Sequence, residues 1–219
     1  MGKPRIISEE TRPIPEIEPP PKSSLRSHEW LVEESHALYE FVFMSQKPFS
    51  TYISNVADKK IRHQSSTNAQ NRLEVMGFLL GEVRRWREFE YSVVRDVVTT
   101  RLKSSPSKVR FDPEAFPRLF REMDASGFDY VLVGWYHSHP GHTCFMSRTD
   151  LRTQRTIFNQ TYHIALVVDP INEEIKTFRL AEDSYEETAF ALFDDVSPES
   201  VKGRSVRRRK LKGGAVSTI

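Results

Sequence analysis

Cysteine is nearly absent from this sequence, which contains only Cys144 among its 219 residues. A single thiol excludes an internal disulfide and agrees with a reducing compartment. Long apolar runs are absent as well. No stretch reaches the roughly eighteen residues that a membrane span needs, and residues 1–13 lack the apolar centre of a signal peptide. We therefore expect a cytoplasmic, intracellular protein without a membrane partner.

Net charge is also small, at +2, but it is unevenly distributed. Residues 197–219 contain seven Lys or Arg and one acidic residue, so this segment carries +6 and the remainder −4. Such a tail can bind nucleic acid or an acidic protein, but no aromatic residue follows Phe193 to stack on bases. We interpret residues 194–219 as a basic flexible tail and do not expect nucleic acid as a partner.

Proline is concentrated at the other end, with six of thirteen in the first 21 residues. Proline removes a backbone donor and fixes φ, so we predict that residues 1–26 form a disordered leader outside any helix or strand ladder. Residues 27–47 follow as an extension whose apolar spacing indicates a helix, although EFVFM at 40–44 equally permits a strand. The sequence then predicts one folded domain over residues 48–193.

Short apolar runs in this domain alternate with helical patterns. The β-branched and apolar segments predict strands near residues 51–54, 75–81, 90–100 and 130–137, and a hairpin that turns through Pro170–Glu173. Helices are predicted after a cap at Ser54 or Asn55, from Asp112 to near Gly127, and after Ser147. Residues 101–112 are polar and are predicted as an exposed loop. The fold class is α/β (α+β), a mixed β-sheet flanked by helices.

One segment contains several potential metal ligands at and after the end of a predicted strand: GWYHSHPGHTCFMSRTD at 134–150. Ser147 and Asp150 match a helix capping box, which is the ordinary explanation. In a strand, however, His137 and His139 point to the same side. A chain reversal after Pro140 can bring Asp150 to them, within the roughly 2.0 to 2.2 Å that zinc requires of N and O ligands.

Two histidines and one carboxylate leave a fourth zinc position open for water, as in catalytic sites. His142 or Cys144 can instead fill that position and make the site structural. A non-haem iron site also uses two histidines and one carboxylate, but the order of these residues fits zinc hydrolysis better.

These motifs resemble the JAMM (MPN-plus) metalloprotease family. Its signature is a Glu, then His-x-His, seven residues, Ser, two residues and Asp, and the sequence matches it at Glu74, His137, His139, Ser147 and Asp150. The segments EVMGFLLGE, GWYHSHPG, VVDP and FRL also match, so the resemblance covers about residues 50–180. The flanks are most similar to the proteasome-lid deubiquitinase branch, followed by the signalosome deneddylase branch.

The resemblance implies an MPN fold, which has a cytidine-deaminase-like sheet, and a zinc isopeptidase that removes ubiquitin or a ubiquitin-like modifier from lysine. It implies that His137, His139 and Asp150 bind Zn²⁺, that Glu74 transfers protons and that Ser147 donates a hydrogen bond to the substrate carbonyl. By local pattern alone, Glu82 and Glu88 remain alternatives to Glu74. A cysteine nucleophile is not expected at Cys144, since no histidine is left to activate it.

In the family, the first insertion pairs with the extended tail of the modifier. The resemblance places this insertion at 101–112 and implies that it binds substrate through five residues: Arg101, Leu102, Lys103, Val109 and Phe111. Another MPN-type subunit or a proteasome component is an expected partner. Two alternatives remain: a metal-free MPN scaffold, and a role for LKGG at 211–214 as an internal mimic of a modifier terminus.

Overall fold

The computed structural model describes residues 13–99, 102–105, 108–111, 131–182 and 184–194. Its elements follow the chain in this order: a 3₁₀ turn (Lys22–Ser24), β1 (Leu25–Arg26), α1 (Glu33–Met44), β2 (Thr51–Ser54), α2 (Asn55–Ala69), β3 (Met76–Trp86), β4 (Phe89–Val98), β5 (Leu102–Ser105), β6 (Lys108–Phe111), β7 (Val131–Ser138), α3 (Arg148–Ile157), β8 (Ile164–Asp169), β9 (Glu174–Leu180), β10 (Tyr185–Thr188) and β11 (Phe190–Phe193).

The main sheet has nine strands in the order β1-β11-β2-β4-β3-β7-β8-β9-β10. The pairs β11–β2, β2–β4 and β7–β8 are parallel, and the remaining neighbours are antiparallel. Strands β3, β7 and β8 occupy the middle of the sheet, which explains their nearly continuous apolar sequences. This mixed sheet with helices confirms the predicted fold class.

Successive side chains of β3 alternate between two core layers. Leu79 points toward α2, where it joins Ala57 and Ile61 in one buried cluster. Met76 and Phe78 point to the opposite face and pack with residues around α3. The second face also carries His137, because Met76 and His137 are partners in the β3–β7 ladder.

The loop predicted for residues 101–112 is corrected by the structure. Residues 102–105 and 108–111 form the antiparallel pair β5–β6, in which Leu102 lies opposite Phe111. The error has a physical reason: charged and small residues dominate this segment, so it lacks the apolar alternation by which strands are recognised. The helix predicted from Asp112 to near Gly127 lies outside the described residues.

The prediction of a disordered leader is wrong for residues 13–26. The backbone N–H of Ile17 donates to the carbonyl of Arg85 at 2.8 Å, and the Tyr91 hydroxyl donates to the carbonyl of Ile17 at 2.7 Å. Leu25 and Arg26 form β1 against β11. Proline leaves every backbone carbonyl available as an acceptor, so this segment docks on the domain despite its composition. Residues 1–12 lie outside the described residues.

The helical alternative for the extension is confirmed, since α1 spans Glu33–Met44. Strands β10 and β11 were not predicted, and the basic tail beyond residue 194 lies outside the described residues. Within the described ranges, no helix combines the length and apolarity required to cross a membrane.

Candidate metal centre

His137 and His139 lie at the end of β7. His137 is the penultimate residue of this strand, and the backbone N–H of His139, just beyond it, donates to the carbonyl of Val168 in β8 at 2.8 Å. The His137 ring stacks on Trp135, with centroids 4.6 Å apart and planes inclined by 12°. Both histidines are buried, so their ring orientations are fixed by packing.

The third candidate ligand, the carboxylate of Asp150, lies in the first turn of α3. Ser147 is the N-cap: its side chain accepts from the backbone N–H of Asp150 at 3.2 Å, and its own N–H donates to Asp150 Oδ2 at 2.8 Å. This reciprocal capping box turns the Asp150 side chain back toward the strand end. The reversal between the two elements passes through Gly141 and Thr143, both at positive φ.

Three potential ligand atoms converge as a result. Nε2 of His137 lies 3.0 Å from Nε2 of His139, and Oδ2 of Asp150 lies 3.4 and 3.7 Å from the two nitrogens. Zinc bonds of about 2.0 to 2.1 Å at tetrahedral angles separate neighbouring ligand atoms by about 3.3 Å. The observed triangle therefore fits three vertices of a zinc tetrahedron.

The charge states also fit a cation. Burial lowers the pKa of His137, so its imidazole is neutral near pH 7. Burial raises the pKa of Asp150, but the adjacent imidazoles of His137 and His139 and the hydrogen bond with Ser147 outweigh that effect and hold it well below its usual range. Neutral imidazole and ionised carboxylate are the forms that ligate a metal. Among the described residues, only these three form such a group.

Glu74 lies two residues before β3, whose first residue, Met76, is the ladder partner of His137. The backbone N–H of Ser138 donates to the carbonyl of the adjacent Val75, and the Val75 N–H donates to the Ser138 hydroxyl oxygen, both at 2.9 Å. These bonds hold the chain next to Glu74 against the end of β7. Its side chain is partly buried. Its role in proton transfer stays a prediction.

The two alternative glutamates lie elsewhere. Glu82 accepts hydrogen bonds from Arg84 at 2.8 Å and from Arg95 at 3.0 Å, and it is roughly 25 Å along the strand from Glu74. Glu88 is exposed in the turn between β3 and β4. Neither is placed to serve the cluster.

Cys144 and His142 do not complete the cluster. The Cys144 thiol is buried and directed to the carbonyls of Val167 and Glu174, at 3.2 and 3.3 Å. Burial raises the pKa of this thiol far above its usual value, so it is neither a thiolate ligand nor a nucleophile. His142 is exposed. The fourth vertex therefore has no ligand from the described part of the chain.

The residues predicted to bind substrate fall on the β5–β6 pair. Leu102 and Lys103 lie in β5, and Val109 and Phe111 lie in β6, which is adjacent to β3. Arg101 lies outside the described residues. Their contact with substrate stays a prediction.

Sequence reasoning missed two buried polar residues that organise the centre. Gln154 accepts from Trp135 Nε1 at 2.6 Å and donates to the carbonyls of Phe158 and His163 at 3.0 and 3.2 Å. Asp169, at the end of β8, accepts from the loop that follows His139. The Asp-Pro pair at 169–170 signals a turn, but no local pattern reveals a contact with residues so distant along the chain.

The sequence also matches a known protein family and several curated proteins. The family model for the JAB1/Mov34/MPN/PAD-1 ubiquitin protease matches residues 50–162. COP9 signalosome complex subunit 5 from Debaryomyces hansenii is 31% identical over 179 residues, which are 69% of this chain and 37% of that protein.

Two proteasome relatives match over similar lengths. The 26S proteasome regulatory subunit RPN11 from Candida glabrata is 34% identical over 165 residues, which are 71% of this chain and 50% of that protein. The ubiquitin carboxyl-terminal hydrolase RPN11 from Saccharomyces cerevisiae is 34% identical over 158 residues, or 68% of this chain and 47% of that protein. The matched region thus spans at most half the length of these three relatives.

Proposed function

Because this chain belongs to the JAB1/Mov34/MPN/PAD-1 ubiquitin protease family, we propose that it is a zinc-dependent isopeptidase. Its substrates are proteins that carry ubiquitin or a ubiquitin-like modifier on lysine side chains. One observation carries the proposal: His137, His139 and Asp150 converge with the spacing of zinc ligands, and no fourth ligand comes from the described residues. A centre of this kind leaves one position for water, as hydrolysis requires.

When bound, zinc supplies a Lewis acid and lowers the pKa of a coordinated water from 15.7 to about 7. The chain supplies the remaining chemistry. Glu74 accepts a proton from the attacking water and returns it to the departing lysine amine. Its position two residues before Met76, the ladder partner of His137, supports this role. A general base of this type contributes about 10²- to 10⁴-fold to the rate.

Ser147 donates a hydrogen bond to the substrate carbonyl oxygen as negative charge develops there. The capping interaction uses its oxygen as an acceptor, from the Asp150 N–H. A hydroxyl group can donate and accept at once, so its hydrogen is still available to the substrate. The two roles of Ser147 are therefore compatible.

The β5–β6 pair binds the extended modifier tail by strand addition, a mode in which backbone groups supply most of the contacts. Among the described residues, β5 and β6 pair only with each other, so an outer edge of this pair can accept an added strand. Arg101, Leu102, Lys103, Val109 and Phe111 are the proposed contact residues.

Partners beyond the substrate follow from the relatives, whose names place them in the proteasome and the COP9 signalosome. We propose that this chain likewise works beside another MPN-type subunit or a proteasome component, in the cytoplasm. The matched region is at most half of each of these relatives, so their assemblies are a guide to this chain only through the shared region.

The test compares wild type with Glu74→Gln and His139→Ala, and uses Glu82→Gln as the matched control. Zinc content is measured, together with cleavage of ubiquitin joined to a lysine peptide. Glu74→Gln should retain zinc and lose at least about 100-fold in kcat. His139→Ala should lose zinc and activity, and Glu82→Gln should keep both.

Full turnover by Glu74→Gln would refute the proton-transfer role. Wild type that binds zinc but cleaves no conjugate, across ubiquitin and ubiquitin-like modifiers, would indicate a scaffold instead of an enzyme.

A further inference from the structure

The carboxylate of Asp169 lies at the junction between β8 and the loop that follows His139. It is fully buried, and five hydrogen bonds from described residues end on it. Oδ1 accepts from the backbone N–H groups of Gly141, Ile171 and Asn172, at 2.8, 2.9 and 3.1 Å. Oδ2 accepts from Thr143 N–H at 2.8 Å and from the Asn172 side chain at 2.7 Å. The carboxylate thus joins two segments that are distant in sequence.

On the loop side, Asp169 holds an unfavourable backbone conformation. Thr143 adopts φ 62°, a left-handed conformation that costs a β-branched residue energy. Thr143 is exposed, so side-chain packing does not impose this conformation. In this conformation the Thr143 N–H donates to Asp169 Oδ2, and the N–H of Gly141, two residues earlier, donates to Oδ1, so the carboxylate compensates the cost with two hydrogen bonds.

The Thr143 carbonyl in turn faces a ligand of the candidate metal centre. Nδ1 of His139 lies 3.3 Å from this oxygen. A carbonyl only accepts, so Nδ1 carries the ring hydrogen, and the lone pair of Nε2 is left on the side of His137 and Asp150. Partners of this kind fix the tautomer and orientation of metal-binding histidines.

We propose that Asp169 is a positioning residue, which sets the orientation and tautomer of His139 through Thr143. This inference rests on the proposed zinc centre. In this arrangement the Asp169 carboxylate, at the start of the β8–β9 turn, fixes the Thr143 backbone. The Thr143 carbonyl in turn fixes the His139 imidazole. The His139 backbone is held separately, by Val168. Loss of Asp169 should therefore disturb the ring more than the main chain.

The structure provides a variant and a matched control. Asp169→Asn keeps the size of the side chain but places an NH₂ group where one oxygen accepted hydrogen bonds. Asn172→Ala removes one bond to the same carboxylate from the turn side and leaves the bonds from Gly141 and Thr143 intact. Zinc affinity of the full chain is measured by competition with a chromophoric chelator, and the absorption spectrum of the cobalt(II)-substituted protein reports ligand geometry.

We expect Asp169→Asn to weaken zinc binding by about 10- to 100-fold, the range typical of changes to residues that hold a metal ligand in place, and to alter the cobalt spectrum. Asn172→Ala should bind zinc within about twofold of wild type. Unchanged affinity and spectrum in Asp169→Asn would overturn the inference. An equal loss in both variants would also overturn it, because it would assign the effect to the turn.

Two further outcomes are distinguishable. If Asp169→Asn does not fold, Thr143→Pro tests the same path at an exposed position, since proline removes the N–H donor and forbids positive φ. Thr143→Pro should show the same loss of zinc affinity, and wild-type affinity would contradict the inference. If wild type itself binds no zinc, the proposed metal centre fails and this inference fails with it.

Discussion

Ser147 and Asp150 bond each other twice, once in each direction. The backbone N–H of Ser147 donates to Asp150 Oδ2 at 2.8 Å, and the backbone N–H of Asp150 donates to Ser147 Oγ at 3.2 Å. The same Oδ2 faces the two histidines. The capping box that begins α3 therefore also orients the carboxylate of Asp150 as a candidate metal ligand.

Replacement of Ser147 should test its two roles, as the helix cap of α3 and as the proposed donor to the substrate carbonyl. Ser147→Ala removes the capping acceptor, at a cost of about 1 kcal/mol in the free energy of unfolding. It also removes the proposed donor to the substrate carbonyl, which should lower kcat by about 100- to 1000-fold while zinc is retained. Urea unfolding and steady-state kinetics measure the two effects.

Ser147→Thr is the matched control, because threonine keeps both the acceptor and the hydroxyl hydrogen. It should stay within about 0.5 kcal/mol of wild type in stability and should retain most of the activity. A fully active Ser147→Ala protein would remove Ser147 from the mechanism and leave it as a cap alone.

Gln154 links α3 to β7 and should matter for both stability and metal binding. Gln154→Leu leaves Trp135 Nε1 and the carbonyls of Phe158 and His163 buried without their partner. Each of these three buried groups costs about 1 to 3 kcal/mol when unsatisfied, so we expect a loss of at least about 3 kcal/mol in the free energy of unfolding. Zinc affinity should fall too, because Trp135 stacks on His137.

Thr153→Ala provides the comparison on the same helix. Its side chain is half-buried and its hydroxyl donates to the carbonyl of Thr149, one turn earlier, in an exposed hydrogen bond, so the change should stay within about 0.5 kcal/mol. Thermal unfolding with and without zinc measures both variants. Equal midpoints for Gln154→Leu and Thr153→Ala would show that the Gln154 network contributes little.

His163 should make the metal-free protein sensitive to mild acid. Burial lowers the pKa of His163 to about 4 from a usual 6.5. Between these values the unfolded chain binds a proton that the folded chain does not, so stability is fully present above about pH 6.5 and declines toward pH 4. A shift of this size corresponds to about 3 kcal/mol.

His163→Gln removes this titration. Urea unfolding of the metal-free protein from pH 4.5 to 7.5 should show a shallower pH dependence in the variant than in wild type, whatever the cost of the lost contacts. Parallel curves would mean that His163 has an ordinary pKa in the folded state.

Much of the centre was predictable because its determinants are local. Alternation along a strand places His137 and His139 on one side, and the capping pattern at Ser147 marks where α3 begins. Glu74 is assigned by resemblance alone, and its role stays a prediction.

The unpredicted parts depend on contacts between distant segments. The carboxylate of Asp169 bonds to Gly141 and Thr143, and neither partner can be read from the turn that follows it. Strand β1 has two residues and is recognisable only through its partner β11. The β5–β6 pair carries polar residues that local pattern assigns to a loop.

Zinc K-edge X-ray absorption of the wild-type chain, loaded with one equivalent of zinc, tests the central claim most directly. We predict two imidazole ligands and oxygen donors, all at about 2.0 to 2.2 Å from the metal. Sulfur at about 2.3 Å would identify Cys144 as a ligand, and a third imidazole would indicate His142; either closes the site to water and contradicts a hydrolytic centre.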